Sequence, residues 1–135
     1  MDHKKNSLSM KKFLLFPVIL IALFVTSCQK TPGPGGKAII NVHVIDGNSN
    51  IPYTEVKIKY GADVYPGENA TYDASITGDQ YGKGKFDGLN RGDYYLYTSY
   101  TDTTGNLREG GAYVKINNKP GEQHIVIDMG EVDPF

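Results

Sequence analysis

The 135-residue sequence is poor in the residues that most chemistry needs. It has one cysteine, no tryptophan and three histidines, of which only His43 and His124 follow the long apolar run. A lone Cys28 cannot close an internal disulfide or complete a cysteine zinc site. No Ser, Thr or Asp stands in a recognisable nucleophile motif, no cofactor motif is present, and an enzyme is not expected. Helical periodicity is absent beyond residue 36, which argues against a bundle or an α/β domain. Clustered basic charge is missing too. Lys+Arg number 14 against 15 Asp+Glu, for a formal net charge of −1. Lys4, Lys5, Lys11 and Lys12 lie before Phe13 with only Asp2 against them; from Gln29 onward 10 basic residues face 14 acidic ones, about −4. Nucleic acid is therefore not an expected partner.

What is present begins with Phe13 to Val25, an uncharged apolar run of 13 residues behind Lys11 and Lys12. A membrane-spanning helix needs about 20 apolar residues, whereas this run has the length of a secretory h-region behind a positive n-region. Val25-Thr26-Ser27-Cys28 closes it. That stretch resembles the lipobox of bacterial lipoprotein signal peptides, with Val25 where many members carry Leu. The resemblance implies a signal peptide over 1–27, acylation of Cys28 as the first mature residue, and no free thiol. Each acyl chain contributes about 0.8 kcal/mol per buried CH₂, and several chains together anchor stably. Met10-Lys11-Lys12 with the apolar run would be a complete signal peptide by itself, so Met10 is the expected start. Gln29 at the second mature position, by resemblance to enterobacterial sorting rules, implies the outer membrane of a Gram-negative bacterium. Residues 28–36 read as a short Pro/Gly tether, and 37–135 as the folded domain.

In that domain apolar and polar residues alternate in short runs, punctuated by Gly, Asn, Asp and Pro clusters. Ile40, Val42 and Val44 form the first run, then Val56, Ile58 and Tyr60. Thr71 to Thr77 and Lys85 to Leu89 are shorter extended pieces. Tyr94, Leu96, Thr98 and Tyr100 alternate with Tyr95, Tyr97 and Ser99; Ala112, Val114 and Ile116 follow, and Ile125, Ile127 and Met129 end the pattern. The spacing predicts an all-β fold, a small antiparallel sandwich of six to seven strands, with the strand count open around residues 59–74.

Val44-Ile45-Asp46 with Ile51-Pro52-Tyr53-Thr54-Glu55-Val56-Lys57-Ile58 resembles the opening of carboxypeptidase regulatory-like domains, which share a prealbumin-like (transthyretin-like) sandwich. Thr77 to Leu89, a Gly-rich turn leading to Phe86 and Leu89, and Arg91-Gly92-Asp93-Tyr94 resemble the later part of the same family. The resemblance implies a fold rather than an activity. Pilin and adhesin relatives of that fold carry a Lys–Asn isopeptide bond assisted by an acid after the Gly-x-Tyr. Lys37 is available here, but Tyr94 to Tyr100 holds no acid, so the bond is not expected. Hydroxyisourate hydrolases of the fold need several His and Arg and a C-terminal Tyr-Arg-Gly-Ser; this chain ends Glu131-Val132-Asp133-Pro134-Phe135.

Other motifs read as structural. Asp46-Gly47-Asn48-Ser49-Asn50 opens like a calcium loop, but Ile51 and Lys57 occupy the positions that need Gly and an acid, so no metal is expected. Arg91-Gly92-Asp93 is explained by its turn, and His43 and His124 by polar strand faces. The ten tyrosines are the strongest feature. Alternation puts Tyr95, Tyr97 and Tyr113 on outer faces, where rings with hydroxyls suit both water and a partner. The expected function is a non-catalytic, lipid-anchored envelope module docking through that surface to another envelope protein. The alternative is a glycan- or peptide-binding lipoprotein of an outer-membrane uptake system. An aromatic patch across two loops favours the alternative, and a patch on one flat sheet face favours docking.

Overall fold

A computed structural model describes residues 31–117 and 121–130. The signal peptide, the Met10 start and Cys28 lie outside the described residues.

Eight strands make two facing sheets. β1 (Pro34–Asp46) is the spine of the first. The two-residue β2 (Ser49–Asn50) and β5 (Lys83–Leu89) follow one edge of β1, and β8 (Glu122–Asp128) lies along the other. The second sheet has the order β4 (Ala74–Thr77), β3 (Glu55–Tyr60), β6 (Gly92–Thr101), β7 (Leu107–Ile116). Every pairing is antiparallel except β1 with β8, which is parallel because β8 returns from the opposite sheet. The all-β sandwich expected from the alternation is the one formed, and β2 brings the described strands to eight.

The core follows from that alternation, since successive side chains point to opposite faces of a sheet. Ile40, Val42 and Val44 from β1, Val56 and Ile58 from β3, Tyr94 and Leu96 from β6, Val114 and Ile116 from β7 and Ile127 from β8 are all buried between the sheets. Phe86 and Leu89 close the core from β5. The Tyr94 ring lies edge-on to Tyr60, centroids 5.7 Å apart. Its hydroxyl donates to the Asn90 carbonyl at 2.6 Å and accepts from the Gly33 N–H at 2.8 Å. Gly92 sits beside this corner with φ +142°, and a Cβ there would fall 2.4 Å from Pro32 Cγ. These contacts hold Thr31 to Gly33 against the domain. β1 thus begins three residues before the boundary expected at Lys37, and residues 31–36 pack rather than serve as free tether.

β1 and its partners set the two ends of the sandwich. One end carries Thr31–Gly33, the 61–73 segment and the 90–91 turn. The other carries the 47–48 turn, residues 51–54, the 78–82 turn, the 102–106 turn and Met129-Gly130. A 13-residue strand separates them, about 40 Å at 3.3 Å per residue. At the second end Asp46 braces the sheets to each other. It accepts Tyr100 Oη at 2.5 Å and Arg108 Nε and Nη2 at 3.1 and 3.0 Å.

Candidate ligand-facing surface

The three tyrosines expected to form an outer surface do not form one. Tyr95 and Tyr97 do point away from the core, as alternation requires, but they are only 7% and 4% exposed. The 61–73 segment lies over them. Tyr72 stacks on Tyr97 with centroids 5.7 Å apart and planes at 17°. Tyr65 contacts both rings, at 5.5 Å from Tyr97 and 5.9 Å from Tyr95. Tyr97 Oη donates to Glu109 Oε1 at 2.5 Å, and burial pushes the phenol's pKa up. Gly111 on the neighbouring strand leaves room for Tyr95, whose hydroxyl would come within 2.6 Å of a Cβ there. Tyr113 alone remains exposed, at 45%, with its hydroxyl donating to Asp93 at 2.6 Å. The expected exposure of Tyr95 and Tyr97 is thereby corrected: a covering segment, not the strand alternation, decides it.

The exposed aromatic rings lie elsewhere. Tyr53 (66% exposed) and Tyr81 (54%) stand on the 51–54 and 78–82 segments, at the end away from Thr31. The two segments are bonded to each other. The Tyr53 N–H donates to the Asp79 carbonyl at 3.1 Å, and the Gly78 N–H to the Thr54 carbonyl at 2.9 Å. The Asp79 carboxylate accepts the Tyr81 and Lys83 N–H groups at 2.8 and 3.0 Å. Those two bonds hold its pKa below the ordinary carboxylate value. Gly82 fits where a Cβ would meet the Val44 and Ile51 carbonyl oxygens at 2.6 and 2.8 Å, so β1 buttresses the turn. Tyr53 has φ +57°, the one non-glycine residue with positive φ among the described residues. That conformation costs an L-residue roughly 1–2 kcal/mol, and its largely exposed ring gains little burial to offset the cost. Sequence reasoning used Tyr53 and Tyr81 only as parts of turns; an aromatic residue inside a Pro- or Gly-bearing turn was the available signal.

Next to these loops, the outer face of the first sheet is a shallow concavity of about 420 Å³, lined by Asn41, His43, Lys83, His124 and Val126. Register places the outward residues in rows: Lys85, Asn41 and His124, then Lys83, His43 and Val126. His43 Nε2 shares a hydrogen bond with Asn50 Oδ1 at 2.8 Å. Asn41 Nδ2 donates to Glu122 at 3.3 Å, and His124 lies 3.8 Å from the same carboxylate. Val126 is 58% exposed on the rim. Among the described residues no three His, Cys, Asp or Glu side chains gather into a metal-binding set.

No protein-family model matches the sequence, and a search of curated proteins gives no match. Solved structures do resemble the fold. A Pseudomonas aeruginosa protein described as a candidate carbohydrate-binding protein is 17% identical, with TM-score 0.51 over 77% of this chain and 93% of its own. A variant of the major pilin subunit of Bacillus cereus is 20% identical, with TM-score 0.48 over 69% of this chain. An (S)-allantoin synthase is 16% identical, with TM-score 0.47 over 68% of this chain. This chain spans 30% of the pilin subunit and 40% of the synthase. At these identities the likeness is one of fold.

Proposed function

We propose that this chain is a non-catalytic, lipid-anchored module of the bacterial cell envelope, held in the outer membrane through acylated Cys28, that binds a glycan or peptide through the loops carrying Tyr53 and Tyr81. The observation that carries the reading is the pair of exposed rings on two cross-bonded segments, one of them in a strained backbone, at the end away from Thr31. Aromatic rings in loops on a rigid scaffold are a common form of recognition surface, and backbone strain at an exposed residue points toward function. The Pseudomonas aeruginosa protein spanned over 93% of its length supports the same class by its description. Docking of an envelope protein on a flat sheet face is the less favoured reading, because Tyr95 and Tyr97 are covered.

The test uses the full-length lipoprotein in detergent on glycan and peptide arrays. A Tyr53→Ala/Tyr81→Ala variant loses binding at least tenfold with an unchanged circular dichroism spectrum. Tyr53→Gly, which removes the strain with the ring, is at least as stable as the parent but binds as weakly as the double variant. In-cell crosslinking that captures one stoichiometric envelope protein, with empty arrays, would establish docking instead.

A further inference from the structure

Resting on that reading of the loops, we propose that Asp79 is the positioning residue of the site: its turn holds Tyr53 in the strained conformation and so ties the two ring-bearing segments together. A left-handed backbone at a residue other than glycine persists only where its surroundings over-determine it. The Tyr53 ring is 66% exposed, so packing does not hold that conformation. Pro52 fixes its own φ, and Thr54 Oγ1 donates to the Ile51 carbonyl at 3.3 Å, but both act within the segment. The Ile51 N–H on the Val44 carbonyl, at 3.1 Å, secures only its start to β1. From Pro52 to Thr54, the bonds that reach another segment are the Tyr53 N–H on the Asp79 carbonyl and the Gly78 N–H on the Thr54 carbonyl.

Asp79 is the residue on which the partner turn closes. Its carbonyl accepts the Gly82 N–H at 3.0 Å as well as that of Tyr53, and its own N–H donates to the Lys83 carbonyl at 2.8 Å. Its carboxylate accepts the N–H groups of Tyr81 and Lys83, the pattern that favours Asp at the first position of a turn. One residue thus orients the backbone of Tyr81 through its side chain and that of Tyr53 through its main chain. All five of these bonds go to backbone groups, so Asp79 acts on the rings through the chain that carries them.

The turn is peripheral. Asp79, Gln80 and Tyr81 are exposed, and none of them belongs to the core between the sheets. Removing the carboxylate leaves two N–H groups to water and loosens the turn without opening the sandwich. A loosened Asp79 carbonyl lets Tyr53 relax to negative φ, and its ring moves away. Binding then weakens, because part of the interaction free energy goes into re-ordering the segments. Asn at this position keeps an acceptor oxygen and supports the same turn. The site therefore uses the geometry of Asp79 rather than its charge.

Two measurements on the full-length lipoprotein in detergent test this, with the fold of each variant checked by circular dichroism. The first, amide hydrogen exchange read by NMR, needs no ligand. In Asp79→Ala the Tyr81 and Lys83 amides lose their acceptor, whereas the Tyr53 amide keeps its carbonyl. All three should nevertheless exchange about tenfold faster, and in Asp79→Asn they should stay within about threefold of the parent. A Tyr53 amide that keeps its parent rate in Asp79→Ala would overturn the proposal. The second is binding on the glycan and peptide arrays. Asp79→Ala should weaken it about tenfold and Asp79→Asn should restore it. In a Tyr53→Ala background the same Asp79→Ala change should cost less, because one of the rings it positions is gone. Equal loss with and without the Tyr53 ring would refute the positioning role. So would equal loss in Asp79→Ala and Asp79→Asn, which would place the charge itself against the ligand. Arrays that stay empty for the parent end the ligand reading, and the exchange rates still decide whether Asp79 holds Tyr53.

Discussion

Asp46 shows how much one side chain can do. It leaves the end of β1, yet its partners Tyr100 and Arg108 belong to β6 and β7 of the other sheet. The Tyr100 hydroxyl first, and the Arg108 guanidinium second, hold its carboxyl below the usual carboxylate value. The sign follows by linkage. The unfolded chain takes up the proton at higher pH, so the contribution to stability is complete above about pH 4 and fades as pH falls through the lower folded value. Urea midpoints between roughly pH 2 and 6 should therefore fall more steeply for the native chain than for Asp46→Asn. Parallel curves would refute the brace. Some slope should survive in the variant, because hydrogen bonds also lower the carboxyls of Asp79 and Asp102. None of this was legible in the sequence, where Asp46 reads as the start of a polar turn and Arg108 lies 62 residues away.

At the scale of elements, the informative piece is the 61–73 segment. Lys59 and Tyr60 anchor its far end: Lys59 Nζ donates to the Thr71 carbonyl at 2.8 Å and lies 3.7 Å from Asp73, and the Tyr60 N–H donates to Asp73 at 2.7 Å. Its Tyr65 and Tyr72 then form a second apolar layer over the outer face of β6. Burial pushes the Tyr72 phenol up to about 12, and Lys57 Nζ stands 5.9 Å from its ring. Tyr72→Ala should lower unfolding stability by about 1–2 kcal/mol, from lost stacking and area. It should also open Tyr97 to nitration, read by mass spectrometry; a protected Tyr97 would mean that Tyr65 alone suffices as cover. That the strand count stays open around residues 59–74 was visible in sequence. That the segment folds back over its own sheet was not, because the two tyrosines sit in a segment without periodicity.

For the whole molecule, the proposed anchor and the sandwich can be tested separately. Thr31 enters beside Tyr94, and Tyr53 and Tyr81 lie at the other end of β1. Cys28→Ala should release the protein into the aqueous fraction with an unchanged β-sheet circular dichroism spectrum. A variant that misfolds or stays with the membrane contradicts the anchor. Acyl chains act by transfer of CH₂ groups into lipid, which is independent of the sandwich, so release and folding should separate cleanly.

By itself the sequence determined the fold class, the core residues and the face on which each strand side chain lies. A period of two is a property of the extended backbone, and it survives any tertiary arrangement. Ile40, Val42, Val44, Val56 and Ile58 are buried where the spacing puts them. Which outward residues meet water was decided only in three dimensions. Tyr95 and Tyr97 share the outward alternation of Tyr113, yet they are covered because a loop from a neighbouring strand lies across them. Tyr53 and Tyr81, 28 residues apart, stand on neighbouring turns because backbone hydrogen bonds join those turns. Cover and convergence depend on contacts between distant segments, and local periodicity carries no record of those.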